Sequence, residues 1–364
     1  MSRYSPNSIN PDTALCVIHC EDLGRELSFF TDQLGFVLDL IYPADDPRVA
    51  EISGFGLRIR LVRESKPSHS VLVIKTSDEI GASLPRQSPG GTTLIWESDT
   101  TPLEIPSTQH QFEVRTLKGS APWVIGRAGM HYRDLIPSRL GGSIIASHIR
   151  IPDGGPVPDM VHYHTVGFQL IYCVTGWVKL VYEDQGDEFF LRAGDCVTQP
   201  PEIRHRVLEA SDGLEVIEIG VPAEHITTID HDMTLPNSTI DRLRLFDGQR
   251  FCHHRVDDAK FSEHRLPGFL ARETGVRRAT DGAACVQVIN PNSTQDKIYS
   301  SHEADILFNY VLAGSVTIQD QQLVAGDAFT LPPNERHHLC GFSDDLSILE
   351  VSLPGVFSTS VHSG

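Results

Sequence analysis

The chain has 364 residues, 40% of them hydrophobic and 21% charged, with 48 acidic against 30 basic side chains. The net charge of −18 argues against nucleic acid as a partner and disfavours acidic membranes, because phosphate binding needs a basic surface. The length leaves room for two or three domains, and no run of about 18 apolar residues is present to span a membrane.

The opening "MSRYSPNSINPDT" has no apolar stretch of the kind a secretory signal needs. "ALCVIHC" reads as a strand. "EDLGRELSFFTDQLGF" then reads as a helix, with Leu23, Leu27, Phe30 and Leu34 at helical spacing and Gly35 as its stop. The runs "VLDLIYP", "RVAEISGFG" and "LRIRLV" read as three strands, which makes the order βαβββ over about Asp12 to Ser77, and "SHSVLVIKTSD" predicts a further strand. The stretch "DLGRELSFFTDQLGF" resembles one module of the vicinal-oxygen-chelate (glyoxalase-like) superfamily. That resemblance places a metal histidine about seven residues before Asp22, where Leu15 stands, and His19 is too close to the helix to replace it. The segment 12–112 is therefore expected to be a module without metal, structural or dimerising. Such modules pair two by two, so the resemblance implies a homodimer in which a second copy of the chain completes the pair.

From about residue 113 the chain repeats itself. "GGSIIASHIRIP" matches "DGAACVQVINP", "HTVGFQLIYCVTGWVKL" matches "HEADILFNYVLAGSVTI", and "AGDCVTQPPEIRHRV" matches "AGDAFTLPPNERHHL". Each copy is a series of short apolar runs broken by Gly, Pro, Asn and Asp, with no helical periodicity, which predicts a mainly β sandwich or jelly-roll barrel. The expected division is barrel 1 over 113–225, a linker over 226–250 with a short helix around "STIDRLRLF", and barrel 2 over 251–357.

The repeated unit resembles the cupin superfamily through two ordered motifs. His162, His164, Gln169 and Gly176 stand at the spacing of the first motif, and Gly194, Pro200 and His205 at that of the second, without its closing Asn. The implied fold is a bicupin: two tandem jelly-roll β-barrels preceded by the βαβββ glyoxalase-like α+β module. The implied ligands are His162, His164, His205 and Gln169, holding one divalent transition metal (Fe, Mn, Ni, Cu or Zn, with Fe or Zn favoured). In an extended strand His162 and His164 share a face, whereas Gln169 lies an odd number of positions away. A bend near Gly167 must intervene. The second copy has Ser300, His302, Leu307 and His337 in the four ligand places, so His302 and His337 read as the remnant of a decayed site.

His148, Arg150, Tyr172, Trp177, Tyr182 and Glu218 are weaker candidates for the pocket, with Gln287 the counterpart of His148. A neutral Gln leaves a divalent ion its full charge, which favours Lewis-acid chemistry. The expected function is a metal-dependent enzyme of a small oxygen-rich substrate. It is read as a dioxygenase of a hydroxylated aromatic or diketone, with a redox-neutral isomerase, cyclase or lyase as the alternative. A non-catalytic small-molecule binder is the rival from another class. Seven cysteines at odd count and without a CxxC pair read as reduced thiols, which suits a cytoplasmic protein.

Overall fold

The computed structural model describes residues 14–66, 69–76, 85–98, 102–118, 122–292 and 297–363. Asp12 and Ser77, the outer bounds of the expected βαβββ stretch, lie outside them. The chain divides into two units, 1–102 and 103–364.

In the first unit the expected order is observed. Strand Cys16–Cys20 is followed by the helix Leu23–Ser28, which continues as a wider π turn over Phe29–Gln33. Asp22 caps the helix by accepting a hydrogen bond from the Arg25 amide (3.0 Å), and Gly35 leaves it at φ +75°. Strands Val37–Tyr42, Val49–Gly54 and Leu57–Arg63 follow, and Leu57–Arg63 lies parallel to Cys16–Cys20 at the centre of the four-stranded sheet. Ile18, Phe30, Ile52, Ile59 and Leu61 fill the space between helix and sheet. The predicted strand Val71–Thr76 pairs in parallel with Thr93–Ser98, a strand the sequence reading had left out.

The second unit holds two β structures, each made of one large and one small sheet. In the first, the large sheet contains Cys196–Thr198, Phe168–Thr175, Leu214–Val221, Ile145–Ile151 and His131–Asp134 as neighbours. The small sheet runs Phe189–Arg192, Trp177–Tyr182, His205–Ala210, His162–Thr165 and Ile226–Ile229. The second copy repeats this plan with Phe269–Glu273, Cys285–Pro291, Ser347–Leu353, Ile306–Ala313 and Ala328–Thr330 in its large sheet. The large sheets share one apolar core, in which Leu170, Tyr172, Ile217 and Ile219 meet Val286, Phe308, Tyr310 and Val351. Each structure also has a core of its own. This is the expected mainly β, jelly-roll architecture.

Several boundaries differ from the sequence reading. Glu113–Arg115, expected in barrel 1, pairs with Ala328–Thr330 of barrel 2. His253–His254, expected in barrel 2, pairs with Cys196–Thr198 of barrel 1. Each structure thus closes one open sheet edge with a strand from the other's side of the chain, which removes unpaired backbone donors and acceptors. The expected linker 226–250 begins with Ile226–Ile229, a strand bonded along the full length of His162–Thr165. Residues 238–246 are irregular, with a single turn at 242–243, rather than the expected helix.

The repeated frame glycines have a common cause. Gly176 (φ +77°) and Gly314 (φ +72°) turn the chain between strands, and a Cβ at either would overlap the hydroxyl of Ser211 or Ser343. Those hydroxyls accept the next amides, Trp177 N at 3.0 Å and Ser315 N at 2.8 Å. Only glycine combines the left-handed turn with that approach.

Candidate metal centre

His162 and His205 face each other directly across two antiparallel strands, and His164 follows His162 on the same face. Their ring centroids lie 4.2 Å (162–205), 5.1 Å (162–164) and 5.2 Å (164–205) apart, and one ring nitrogen from each falls within 4.8 Å of the others. All three are buried.

The outer nitrogens are held from behind. Nδ1 of His162 donates to the Met160 carbonyl (2.7 Å) and Nδ1 of His205 to the Ile203 carbonyl (3.0 Å). A carbonyl only accepts, so in both rings Nε2 carries the lone pair. His164 Nδ1 lies 2.9 Å from Thr227 Oγ1, on the strand that had been expected as linker. Nε2 of His162 has no hydrogen-bond partner although it is buried. Burial lowers the pKa of all three histidines. The charge of Arg127 adds to this at His162, and the other histidines add to it at His164, which falls to about 2, and at His205. Neutral, converging imidazoles with an orphaned nitrogen are what a divalent transition metal requires. The donor set fits one such ion.

Gln169 lies on Phe168–Thr175, in the other sheet. The expected bend is a change of sheet at 166–167, where the Gly167 amide bonds Val221 O at 2.8 Å. The Gln169 amide nitrogen donates to Glu218 Oε1 (2.7 Å), and its oxygen is buried without a partner. Glu218 lines the cavity beside the three histidines, and burial raises its pKa. Tyr182 lines it too, stacked on His205 at 5.4 Å, with its hydroxyl accepting from Gln199 Nε2 at 3.0 Å. The cavity is about 70 Å³, room for about two waters. Ile149, Ile171, Leu180, Val207 and Val216 give it an apolar wall.

Four expected pocket residues lie elsewhere. Ile149 and Ile151 of strand Ile145–Ile151 face the cavity, so by alternation His148 and Arg150 face the other way. There His148 contacts Arg133 (2.9 Å) and Glu215 (2.9 Å), and the Arg150 guanidinium covers Trp123 at 4.3 Å. Tyr172 belongs to the core shared by the two barrels and accepts from Arg272 Nη2 at 3.1 Å. Trp177 packs on Phe190, on the opposite face from Val178 and Leu180. Gln287 corresponds to Ser147 rather than His148: Ser147 pairs with Glu218, and Gln287 pairs with Glu350.

Sequence reading missed Arg127, Tyr132, Asp159, Thr227 and His225. Asp159, three residues before His162, was the most legible of these. It is buried, paired with Arg127, and accepts from the Val207 amide at 3.0 Å. His225 lies edge-on to His164 at 5.4 Å.

The second barrel closes over the equivalent place. Ser300 Oγ bonds His337 Nε2 at 3.1 Å, and Leu307 is part of the apolar core. Asp305 bonds Thr108 and His110 at the surface. Burial lowers both His302 and His337 to about 4 from the ordinary 6.5. Both are neutral when folded and protonate at the ordinary value when unfolded, so the unfolded chain binds more protons below pH 6.5. The stability this confers is complete above pH 6.5 and is lost as pH falls towards 4, by about 1.4 kcal/mol per pH unit for each group that titrates. Urea unfolding at pH 7, 6, 5 and 4 measures the slope, and His302→Asn is expected to make it shallower by about one proton.

Residues 147–219 match the family described as Cupin domain. The matched segment lies within the first barrel. It contains His162, His164, Gln169 and His205, and the second barrel repeats its sheet plan. A variant of oxalate decarboxylase from Bacillus subtilis is similar in structure, with a TM-score of 0.51 at 12% identity over 70% of this chain and 81% of that one. The same enzyme at pH 4.6 gives 0.50 at 11% identity over 68% and 78%. Salicylate 1,2-dioxygenase from Pseudaminobacter salicylatoxidans gives 0.49 at 13% identity over 71% and 90%. Mn(II) centres are named for the decarboxylase. At such identities the likeness is one of fold. No curated protein matches the chain. No helix among the described residues is long and apolar enough to cross a membrane.

Proposed function

We propose that this chain is a metal-dependent enzyme acting on a small oxygen-rich substrate, and that it is a dioxygenase of a hydroxylated aromatic or a diketone. The observation that carries this reading is the set of three neutral imidazoles converging in front of an apolar cavity. His162, His164 and His205 would hold the ion, with Gln169 Oε1 as a fourth donor. When bound, the ion supplies a Lewis-acidic and redox-capable centre. The chain's own part is to hold the outer nitrogens of the three rings through Met160, Ile203 and Thr227, to exclude bulk water with the apolar wall, and to hold Glu218 beside the substrate through Gln169.

One observation favours a redox-neutral isomerase, cyclase or lyase instead. Gln169 adds no negative charge, so the ion keeps its full charge and polarises an oxygen more strongly. Metal analysis of protein purified without added metal separates the two. Iron with catechol-dependent O₂ uptake is expected for the dioxygenase, whereas zinc with turnover in the absence of air would sink it. Gln169→Glu is expected to change the metal retained from an equimolar Fe, Mn, Zn mixture. An unchanged profile removes Gln169 from the ligand set.

The first unit is proposed as a glyoxalase-like module that pairs between two chains. Its sheet order supports this, as does strand Val37–Tyr42, all six residues of which are exposed, Val37 by 63% and Tyr42 by 50%. Sedimentation is expected to give twice the chain mass at micromolar concentration, and a single-chain mass would end the proposal.

A further inference from the structure

The first barrel carries a second cavity, of about 360 Å³, lined by Gln185, Asp187, Phe189, Arg242, Phe251 and His253. None of these residues lines the metal chamber. One wall comes from a hairpin that the second barrel does not have at this length. Residues 183–188 join Trp177–Tyr182 to Phe189–Arg192, where the second barrel turns between Ser315–Ile318 and Gln321–Val324 with Gln319 and Asp320 alone. The facing wall is the irregular segment that carries Arg242.

The two walls are fastened to each other. The Asp241 amide donates to Asp184 O at 2.9 Å, and the Asp184 amide donates to Asn237 Oδ1 at 2.9 Å. Asn237 Nδ2 returns a bond to Asp184 Oδ1 at 2.6 Å, and Arg244 Nη1 grips Glu183 at 2.7 Å and Asp184 at 2.6 Å. The floor is aromatic and is packed from behind. Phe189 stacks on His253 at 4.3 Å, and Tyr182 backs Phe189 at 5.9 Å and Phe251 at 4.6 Å. Burial lowers the pKa of His253, so the floor is uncharged near pH 7. Rings already held in this way lose little freedom when a ligand covers them.

Most charges at the rim are spent on one another: Arg244 on Glu183 and Asp184, and Lys179 on Glu188 at 2.8 Å. Asp187 and Arg242 are the exceptions. Both are exposed and line the same cavity, and among the described residues neither side chain has a partner, the other included. A flat apolar floor with one free charge of each sign above it complements a ligand that carries a ring and both charges.

We propose that this cavity binds a free aromatic amino acid. The ring lies against Phe189, Phe251 and His253, the carboxylate meets Arg242 and the ammonium meets Asp187. Neither the metal ion nor the chamber around it takes part.

The test is calorimetric binding of L-phenylalanine to the purified full chain, beside 2-phenylethylamine, which lacks the carboxylate, and 3-phenylpropionate, which lacks the ammonium. L-Phenylalanine is expected to bind the wild type and to lose about fivefold in affinity in each of Arg242→Ala and Asp187→Asn, the size of effect an exposed charge pair supplies. The amine should weaken in Asp187→Asn alone and the acid in Arg242→Ala alone. Neither side chain has a partner to lose, so both variants should keep the unfolding midpoint of the wild type. No binding of L-phenylalanine at millimolar concentration overturns the proposal. An affinity that neither variant lowers also overturns it, because the ligand is then held elsewhere. So does a loss in only one variant, because a single charge is then enough.

Discussion

His205→Ala is expected to lower bound metal from about one ion per chain to less than a tenth, with His302→Ala leaving it unchanged. His205 is opposite His162 in register, and its ring is the nearest to His162 of the cluster at 4.2 Å. Its removal leaves two histidines on one strand and breaks the convergence. Outer partners that merely orient a ligand typically contribute about 10–100-fold in affinity, so loss of a ligand itself should exceed about 100-fold. Thr227→Val tests the lower figure, because its hydroxyl is the partner of His164 Nδ1. Plasma emission analysis after dialysis against a weak chelator reads both. Retention of a full ion by His205→Ala would show that the ion sits elsewhere.

The second large effect is expected in the barrel without a metal set. Arg265→Met should destabilise the protein by about 3–5 kcal/mol, the usual result of leaving a buried charge without its partner. Glu350 is 3% exposed and is gripped by Arg265 through two bonds of 2.5 and 2.6 Å, with Gln287 adding a third at 2.6 Å. Burial alone would raise its pKa, but Arg265 and His264 overcome that and hold the carboxyl well below the usual range. R265M/E350Q should recover most of the loss, because no charge is then stranded. Denaturant unfolding of the three proteins checks this. Equal stability of Arg265→Met and the wild type would mean that water reaches Glu350.

Glu218 and Glu350 occupy the same register position in the two barrels, opposite Ile171 and Asn309. Their pKa values are pushed in opposite directions. At Glu350 Arg265 and His264 outweigh burial and hold the carboxyl low, whereas at Glu218 burial outweighs His225, the Gln169 amide and Arg127 and raises it. Both acids sit in apolar strand runs of similar composition, "LEVIEIG" and "LSILEVSL", so the contrast has no local signal.

Much of the site was legible from spacing alone. His162 and His164 share a face because strand side chains alternate, and the duplicate with Ser300 and Leu307 marked which copy kept its ligands. The same alternation misplaces His148 and Arg150 when the face is assigned by guess, since one residue of register moves a side chain from cavity to outer face. Tyr172 shows the same limit. It is an apolar-run residue like Ile171, and only the second barrel's position decides that it faces Arg272.

By itself the sequence determined the strand content, the duplication and the three histidines. Each of these depends on local alternation or on comparison of one stretch with another. The tertiary structure decided which sheet edge took Glu113–Arg115, His253–His254 and Ile226–Ile229, and therefore that Thr227 backs His164. It also decided that Arg127 and Glu218 share a chamber with residues up to 91 positions away. The physical reason is that an open edge accepts any strand whose backbone groups reach it, and backbone hydrogen bonding carries no sequence code.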